Sequence, residues 1–149
     1  MTEGEIRKTI VVDAPPRVVF RALTDEKELI KWMPQEARME ARVGGEYEFR
    51  YHWAQRGLDA VATGRILELV PEKRLSYTFV SSRSGSGSSL TDSVVTWTLD
   101  ELTDGKTRVT LVHSGITKEV YGDTDAGWGY YTSQLARYCR EMVGPAGDA

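Results

Sequence analysis

EYEFRYHW, residues 46–53, decides how the chain is read. Its rings fall at every second position, Tyr47, Phe49, Tyr51 and Trp53, against Glu46, Glu48, Arg50 and His52. A period of two is that of a β-strand with one face turned to a core and the other to water. Leu, Ile and Val fill a dry core without polar atoms, yet Tyr47, Tyr51 and Trp53 each carry a polar handle that needs a partner when buried. The stretch poses a choice: the rings fill a core, or they line a hollow.

The same alternation continues downstream. Residues 37–42 are a short candidate strand, and Gly44-Gly45 marks a turn. Residues 59–70 form another strand, in which Ile66 and Leu67 have opposite parity; that predicts a bulge or a strand covered on both sides. Residues 74–80 alternate Leu75, Tyr77 and Phe79 against polar partners. Residues 91–102 set Val95, Trp97 and Leu99 against Thr96 and Thr98. Asp104-Gly105 is a hairpin signal, and residues 107–114 follow with Val109, Leu111 and His113 on one parity. Such alternation predicts an antiparallel sheet with one wet face and one buried face. The Gly/Ser-rich segment 81–89 reads as a flexible hairpin loop.

Upstream, residues 5–12 read as a first strand, with Ile6, Ile10 and Val12 on one parity and Lys8 interrupting it. Pro15-Pro16 breaks that strand and opens a helix carrying Val19, Phe20 and Leu23. Asp25 with Glu28 resembles a capping box for a second short helix, which offers Leu29 and Trp32 before Pro34 ends it. A last helix is predicted from about 124 to 143. Trp128, Tyr131, Leu135, Tyr138, Cys139 and Met142 form its apolar stripe, Asp123, Thr124 and Asp125 its cap, and Gly144-Pro145 its stop.

A chain of 149 residues with net charge −3 fits a single domain over 1–149. No block of like charge suggests nucleic acid, and no apolar run suggests a membrane. One cysteine and a polar N-terminus lead us to expect a cytoplasmic protein. Two distant histidines and Cys139 give no metal-ligand spacing, and no phosphate loop is present, so no metal and no cofactor are expected.

Five ordered segments carry a resemblance to a known family: APPRVVFRALTDEKELIKW, RVGGEYEF, GRILELVPEKRLSYTF, VVTWTLDELTDGKTRVTLVHSGI and GWGYYTSQL. Together they resemble the START-related helix-grip (Bet v 1-like, SRPBCC) superfamily. The resemblance is to single-domain bacterial proteins similar to the C-terminal domain of the activator of Hsp90 ATPase. It implies an α+β fold in which a curved antiparallel β-sheet grips a long C-terminal α-helix, in the order β-α-α-β-β-β-β-β-β-α. A cavity between sheet and helix is implied as well. The Gly/Ser-rich segment departs from the common pattern. The resemblance does not extend to the N-terminal domain of the eukaryotic co-chaperone, which places an Hsp90-type partner behind other readings.

The candidate ligand-binding residues are Tyr47, Phe49, Tyr51, Tyr77, Trp97, His113, Trp128 and Tyr131. Phe49 and Trp97 would supply apolar contact, and Tyr51 and His113 would orient a ligand. His113 reads as a neutral core histidine with one satisfied nitrogen, as a ligand-bonding group in a cavity, or as a general base needing an orienting carboxylate. Lys8 and Glu68 are its uncertain ionisable companions. Cys139 reads as a buried structural thiol, and His52 and Arg137 and Arg140 as solvated. Three functions compete. The first is binding of a small hydrophobic or aromatic molecule without catalysis. The second is a cyclase- or hydrolase-type enzyme in the same hollow, and the third an interaction module like the Hsp90 activator. Acid–base chemistry needs several ionisable groups converging on the hollow, and the sequence offers one good inward candidate, which favours binding. A homodimer stays open.

Overall fold

The alternation of residues 46–53 becomes the central fact of a seven-stranded antiparallel sheet in the computed structural model. The structure describes residues 4–53, 58–83 and 89–143, and the side chain of Trp53 lies outside the described ones. The elements are β1 (Gly4–Val12), α1 (Pro16–Thr24), α2 (Glu26–Leu29), β2 (Glu36–Met39), β3 (Glu46–Trp53), β4 (Leu58–Val70), β5 (Arg74–Arg83), β6 (Ser89–Glu101), β7 (Thr107–Ile116) and α3 (Lys118–Val143). The sheet order β1-β7-β6-β5-β4-β3-β2 carries the first strand across to pair with the last. The remaining neighbours are consecutive strands. This is the α+β helix-grip architecture, with two short helices after β1 and the long helix last.

One face of the curved sheet is buried under α3. Tyr47, Phe49, Leu75, Tyr77, Val95, Trp97, Leu99, Val109 and Leu111 all lie there, and Glu46, Arg50, Thr96, Thr98 and Thr110 sit on the wetter side. Parity therefore assigned the faces correctly for the described side chains. The Ile66/Leu67 conflict is a bulge. The register with β5 slips by one between Ile66 and Glu68, so Ile66 is buried, Leu67 is exposed, and inward parity passes to the half-buried Leu69. The Asp104-Gly105 turn joins β6 to β7 with both residues at positive φ, 65° and 71°. Gly takes that conformation at no steric cost, and Asp is one of the few other residues that tolerates it.

Four expectations change. First, α3 begins at Lys118 rather than near 124, so Asp123, Thr124 and Asp125 are helical and do not cap. Gly, Asp and Thr are poor helix formers, which is why the segment reads as a cap. Tertiary anchors override that propensity. Val120 is buried, the Tyr121 hydroxyl donates to the Glu5 carbonyl (2.8 Å), and Lys8 pairs with Asp125 (2.8 Å). Second, Met142 is exposed; the buried stripe is Trp128, Thr132, Leu135 and Cys139, flanked by Tyr131 and Tyr138. Third, Asp25 caps α2 by accepting from the Lys27 amide, but the return limb of the box is missing. Glu28 instead accepts a short hydrogen bond from the Tyr138 hydroxyl, tying α2 to α3. Fourth, residues 81–83 and 89 are strand rather than loop. The remainder of the Gly/Ser segment, 84–88, and the Gly144-Pro145 stop lie outside the described residues.

Candidate functional site

The rings of the sheet meet one another. Tyr47 packs against Phe49 and Tyr77, each at 4.8 Å between centroids, and Trp97 stands edge-on between Trp32 (6.3 Å) and Trp128 (5.6 Å). Edge-to-face arrangements of this kind are the favourable ones for aromatic pairs. The polar handles are used internally. The Tyr47 hydroxyl donates to the Thr78 carbonyl (2.7 Å), the Trp97 indole N–H to the Tyr77 hydroxyl (3.0 Å), and the Trp32 N–H to the Ala22 carbonyl (2.9 Å). Among the described residues, no buried side-chain nitrogen or oxygen lacks a partner. Burial raises the pKa of the Tyr47, Tyr51 and Tyr77 phenols well above the usual range, so they stay protonated.

His113 is fully buried in the middle of a chain of hydrogen bonds. The Trp128 indole N–H donates to Nδ1 (2.9 Å), and Nε2 lies 3.0 Å from Ser93 Oγ, which itself donates to the Phe79 carbonyl (2.6 Å). An indole nitrogen only donates, so Nδ1 must be the bare nitrogen and Nε2 must carry the proton. Burial pushes the imidazole pKa down to about 4, which keeps the ring neutral at physiological pH. Both nitrogens are occupied, one more than the core reading of the sequence supposed. The companions weighed for His113 lie elsewhere. Glu68 is exposed and accepts from Arg74 Nε (2.6 Å), and Lys8 is held by Asp125. The other histidine, His52, is exposed on the outer face between Asp59 (3.0 Å) and Glu36 (3.2 Å), whose hydrogen bonds raise its pKa.

A half-open cavity of about 110 Å³ lies between the sheet and the N-terminal half of α3. From the sheet it is lined by Tyr51 of β3, Ala60, Val61 and Ala62 of β4, Phe79 and Ser81 of β5, and Leu90 of β6. From the helix it is lined by Asp123, Thr124, Gly127, Trp128 and Tyr131, and Met33 after α2 completes the wall. Tyr51 and Tyr131, both on its wall, pack against each other at 5.9 Å between ring centroids. The lining is mostly apolar, with the hydroxyls of Ser81 and Thr124 among its few polar groups.

The structure thus brings three of the eight sequence candidates, Tyr51, Trp128 and Tyr131, to this cavity. Phe49, Tyr77, Trp97 and His113 are in the packed core: all four are almost wholly buried, and the polar atoms of Tyr77, Trp97 and His113 are bonded to the protein itself. Tyr47 borders a separate polar cleft of about 550 Å³ flanked by Glu26, Arg38 and Arg65. What the sequence reading missed are the small residues. Ala60 and Ala62 share the inward parity of β4, and Gly127 stands on the facing helix, where an added Cβ would meet nothing within 4 Å. Hollows come from side chains that are absent, and a search for rings does not see them.

Cys139 is buried, and burial followed by the nearby Glu28 carboxylate pushes its thiol up to about 12, which makes it an inert core residue. Among the described residues, no group of His, Cys, Asp and Glu is placed to hold a metal ion. No helix among them is long and apolar enough to cross a membrane.

Comparison with known proteins places these observations. The sequence profile of the family described as Activator of Hsp90 ATPase homolog 1-like protein matches residues 13–140. A crystal structure of protein CV1439 from Chromobacterium violaceum is similar at 31% identity and TM-score 0.76, covering 92% of this chain and 98% of that one. Protein MLL2253 from Mesorhizobium loti is similar at 24% identity and TM-score 0.76, covering 93% and 98%. The Aha1 dimer from Colwellia psychrerythraea, solved in solution, is similar at 18% identity and TM-score 0.72, covering 98% and 99%. No curated protein matches the chain.

Proposed function

We propose, for a chain that belongs to the Activator of Hsp90 ATPase homolog 1-like family, that its task is to bind a small hydrophobic or aromatic molecule without turning it over. The observation that carries this reading is the half-open apolar cavity between sheet and α3, walled by Tyr51, Phe79, Trp128 and Tyr131 and floored by alanines and a glycine. Concave, mostly apolar sites with a few polar groups are where small molecules bind. The residues at the wall supply rings for stacking and, in Ser81 and Thr124, hydroxyls for orientation.

Enzyme chemistry in the same cavity, of the cyclase or hydrolase type, is the second reading. A general acid–base pair needs two groups of suitable pKa within reach of the substrate. His113 is enclosed behind Trp128, with both nitrogens bonded to protein. Among the described residues, Asp123 is the one carboxylate on the wall. That arrangement supports binding over proton transfer. A co-chaperone role rests on the family's description alone, and a family name does not fix an activity.

The test is a titration of single-ring phenols, fused-ring phenols and fatty acids, followed by intrinsic tryptophan fluorescence, since Trp128 forms part of the wall. Each mixture is then analysed by mass spectrometry. Saturable quenching with the compound recovered unchanged is the expected result. Product formation would transfer the site to the second reading, and silence across the whole panel would remove ligand binding altogether.

A further inference from the structure

We infer that Trp128, pinned by His113 and Ser93, is the depth stop of the cavity and restricts its occupant to a single aromatic ring of the phenol type. This inference rests on the binding reading above and adds to it a size limit and the residues that set it.

Trp128 faces two ways. One side of its indole lines the cavity. The other side packs on Trp97 (5.6 Å, 82°) and His113 (5.9 Å, 82°), neither of which lines the cavity. The indole is therefore the partition between hollow and packed core. A ring in that position has only modest packing preferences of its own, but this one is also tethered. Its N–H donates to His113 Nδ1, and His113 is held in turn by Ser93, whose hydroxyl is anchored on the Phe79 backbone carbonyl. Phe79 also lines the cavity and packs on His113 (4.8 Å) and Trp128 (6.5 Å), so the relay fixes two of its walls at once. Turning the indole away would leave a buried N–H and a buried imidazole nitrogen unpaired, which costs more than the hydrogen bond itself contributes.

The size limit follows from volume. The cavity measures about 110 Å³, whereas a closed apolar cavity that takes up benzene measures roughly 150 Å³. One ring therefore enters edge-first and leaves its far edge at the open side. A second fused ring has no room beyond Trp128. The ring would sit among Phe79, Trp128 and Tyr131, and a hydroxyl substituent would stay at the mouth. Of the hydroxyls on the lining, Ser81 can donate or accept, and Thr124, which already donates to the Val120 carbonyl (2.7 Å), still has lone pairs to accept with.

The experiment compares 4-methylphenol, 2-naphthol and 2-hydroxyanthracene by isothermal titration calorimetry on the wild type and on Trp128→Leu, Trp128→Phe, His113→Leu and His113→Gln. The wild type is expected to bind 4-methylphenol at least about tenfold more tightly than 2-naphthol, the scale on which a pocket separates ligands by size. Trp128→Leu is expected to reverse that order. Trp128→Phe keeps a ring but loses the tether, and is expected to lower the ratio while staying folded. His113→Leu is expected to lower the ratio with Trp128 still in place, and His113→Gln, which retains an acceptor, to restore part of it. A residue important only for stability would change affinities for all three probes alike and leave their ratio fixed; that result in Trp128→Phe overturns the inference and leaves the binding reading standing. Equal wild-type affinity for the one-ring and two-ring phenols overturns it without any variant. Absence of binding by all three probes to the wild type overturns the inference, and the fatty acids of the wider panel then decide whether the binding reading stands.

Discussion

Around Trp97 the sheet and its helices meet through large rings; around Ala62 they meet through side chains so small that a gap remains. Both regions belong to the same buried face, and both alternate correctly along their strands. The first is packed because Trp32 meets Trp97 and Tyr47 meets Tyr77 edge to face, Phe49 lies tilted against Tyr47, and the polar atoms bond to one another or to backbone. The second stays open because Ala60, Ala62 and Gly127, all on its lining, leave space that larger side chains would fill. Aromatic content alone does not tell a core from a cavity; the size of the residue opposite each ring does.

The largest effect that could break this contrast is expected at Trp97. Its side chain is almost wholly buried, 1% exposed, with neighbours on two other indoles. Trp97→Ala should destabilise the protein by about 3–5 kcal/mol, the range for removing a large ring from a packed interior. Urea denaturation measures it. A loss below about 1 kcal/mol would mean that the ring region is as loose as the hollow, and the distinction between them would collapse.

His113 gives the next effect, through pH. Its pKa falls from an ordinary value near 6.5 to about 4 on folding. Between those values the unfolded chain binds more protons than the folded one, so stability rises with pH across this window. The contribution is full above pH 6.5 and is lost as pH falls toward 4. A shift of that size corresponds to about 3 kcal/mol. Protonation would also place a hydrogen on Nδ1, against the Trp128 N–H, breaking the bond between the two regions. His52 works in the opposite sense. Its raised pKa adds stability below the ordinary histidine value that is lost as pH rises through the raised one. Its full exposure to solvent makes that contribution weak. Unfolding midpoints at pH 7 and pH 4.5, in wild type and in His113→Gln, isolate the buried group from the carboxylates that titrate nearby. Equal pH dependence in both proteins would show that His113 is not the buried base described here.

These comparisons also show what could be read from the chain. The succession of elements implied by the five-segment resemblance was legible, and so were the strand faces, because period-two patterning survives burial: Tyr47, Phe49 and Tyr51 are inward as their spacing demands. The bulge near Ile66 was legible for the same reason. The early start of α3 was not, since Gly122, Asp123 and Thr124 disfavour a helix locally, and the flanking Tyr121 and Asp125 are anchored on Glu5 and Lys8 of β1. The site was legible only in part. Tyr51, Trp128 and Tyr131 line the hollow, but a ring that lines a cavity and a ring that fills a core share one parity. What separates them is the residue across the gap, and that depends on the register between β4 and α3, which no local pattern encodes.

The two smallest effects come from one substitution made in each region, glycine to alanine. Gly64 pairs with Tyr47 across β3 and β4, and the Tyr47 hydroxyl reaches the Thr78 carbonyl. A Cβ at Gly64 would sit 2.0 Å from that same carbonyl oxygen and 2.7 Å from Thr78 Oγ1. Backbone would have to move, and Gly64→Ala should destabilise by about 1–3 kcal/mol, the usual cost of overfilling a packed site. Gly127 is the opposite case. Its Cβ would meet nothing within 4 Å, and the residue lies inside a regular helix. Gly127→Ala removes the entropic penalty of a helical glycine and should stabilise by about 1 kcal/mol. It also narrows the cavity, so the tightest-binding phenol should bind more weakly to a protein that is harder to unfold. Thermal denaturation with and without ligand separates these two signs. The hollow exists at Gly127 only if the methyl group raises the melting temperature of the free protein and reduces the further rise that ligand produces. A Gly127→Ala protein that is destabilised like Gly64→Ala would mean that α3 is packed tightly along its whole length and that no gap lies beneath its N-terminal half.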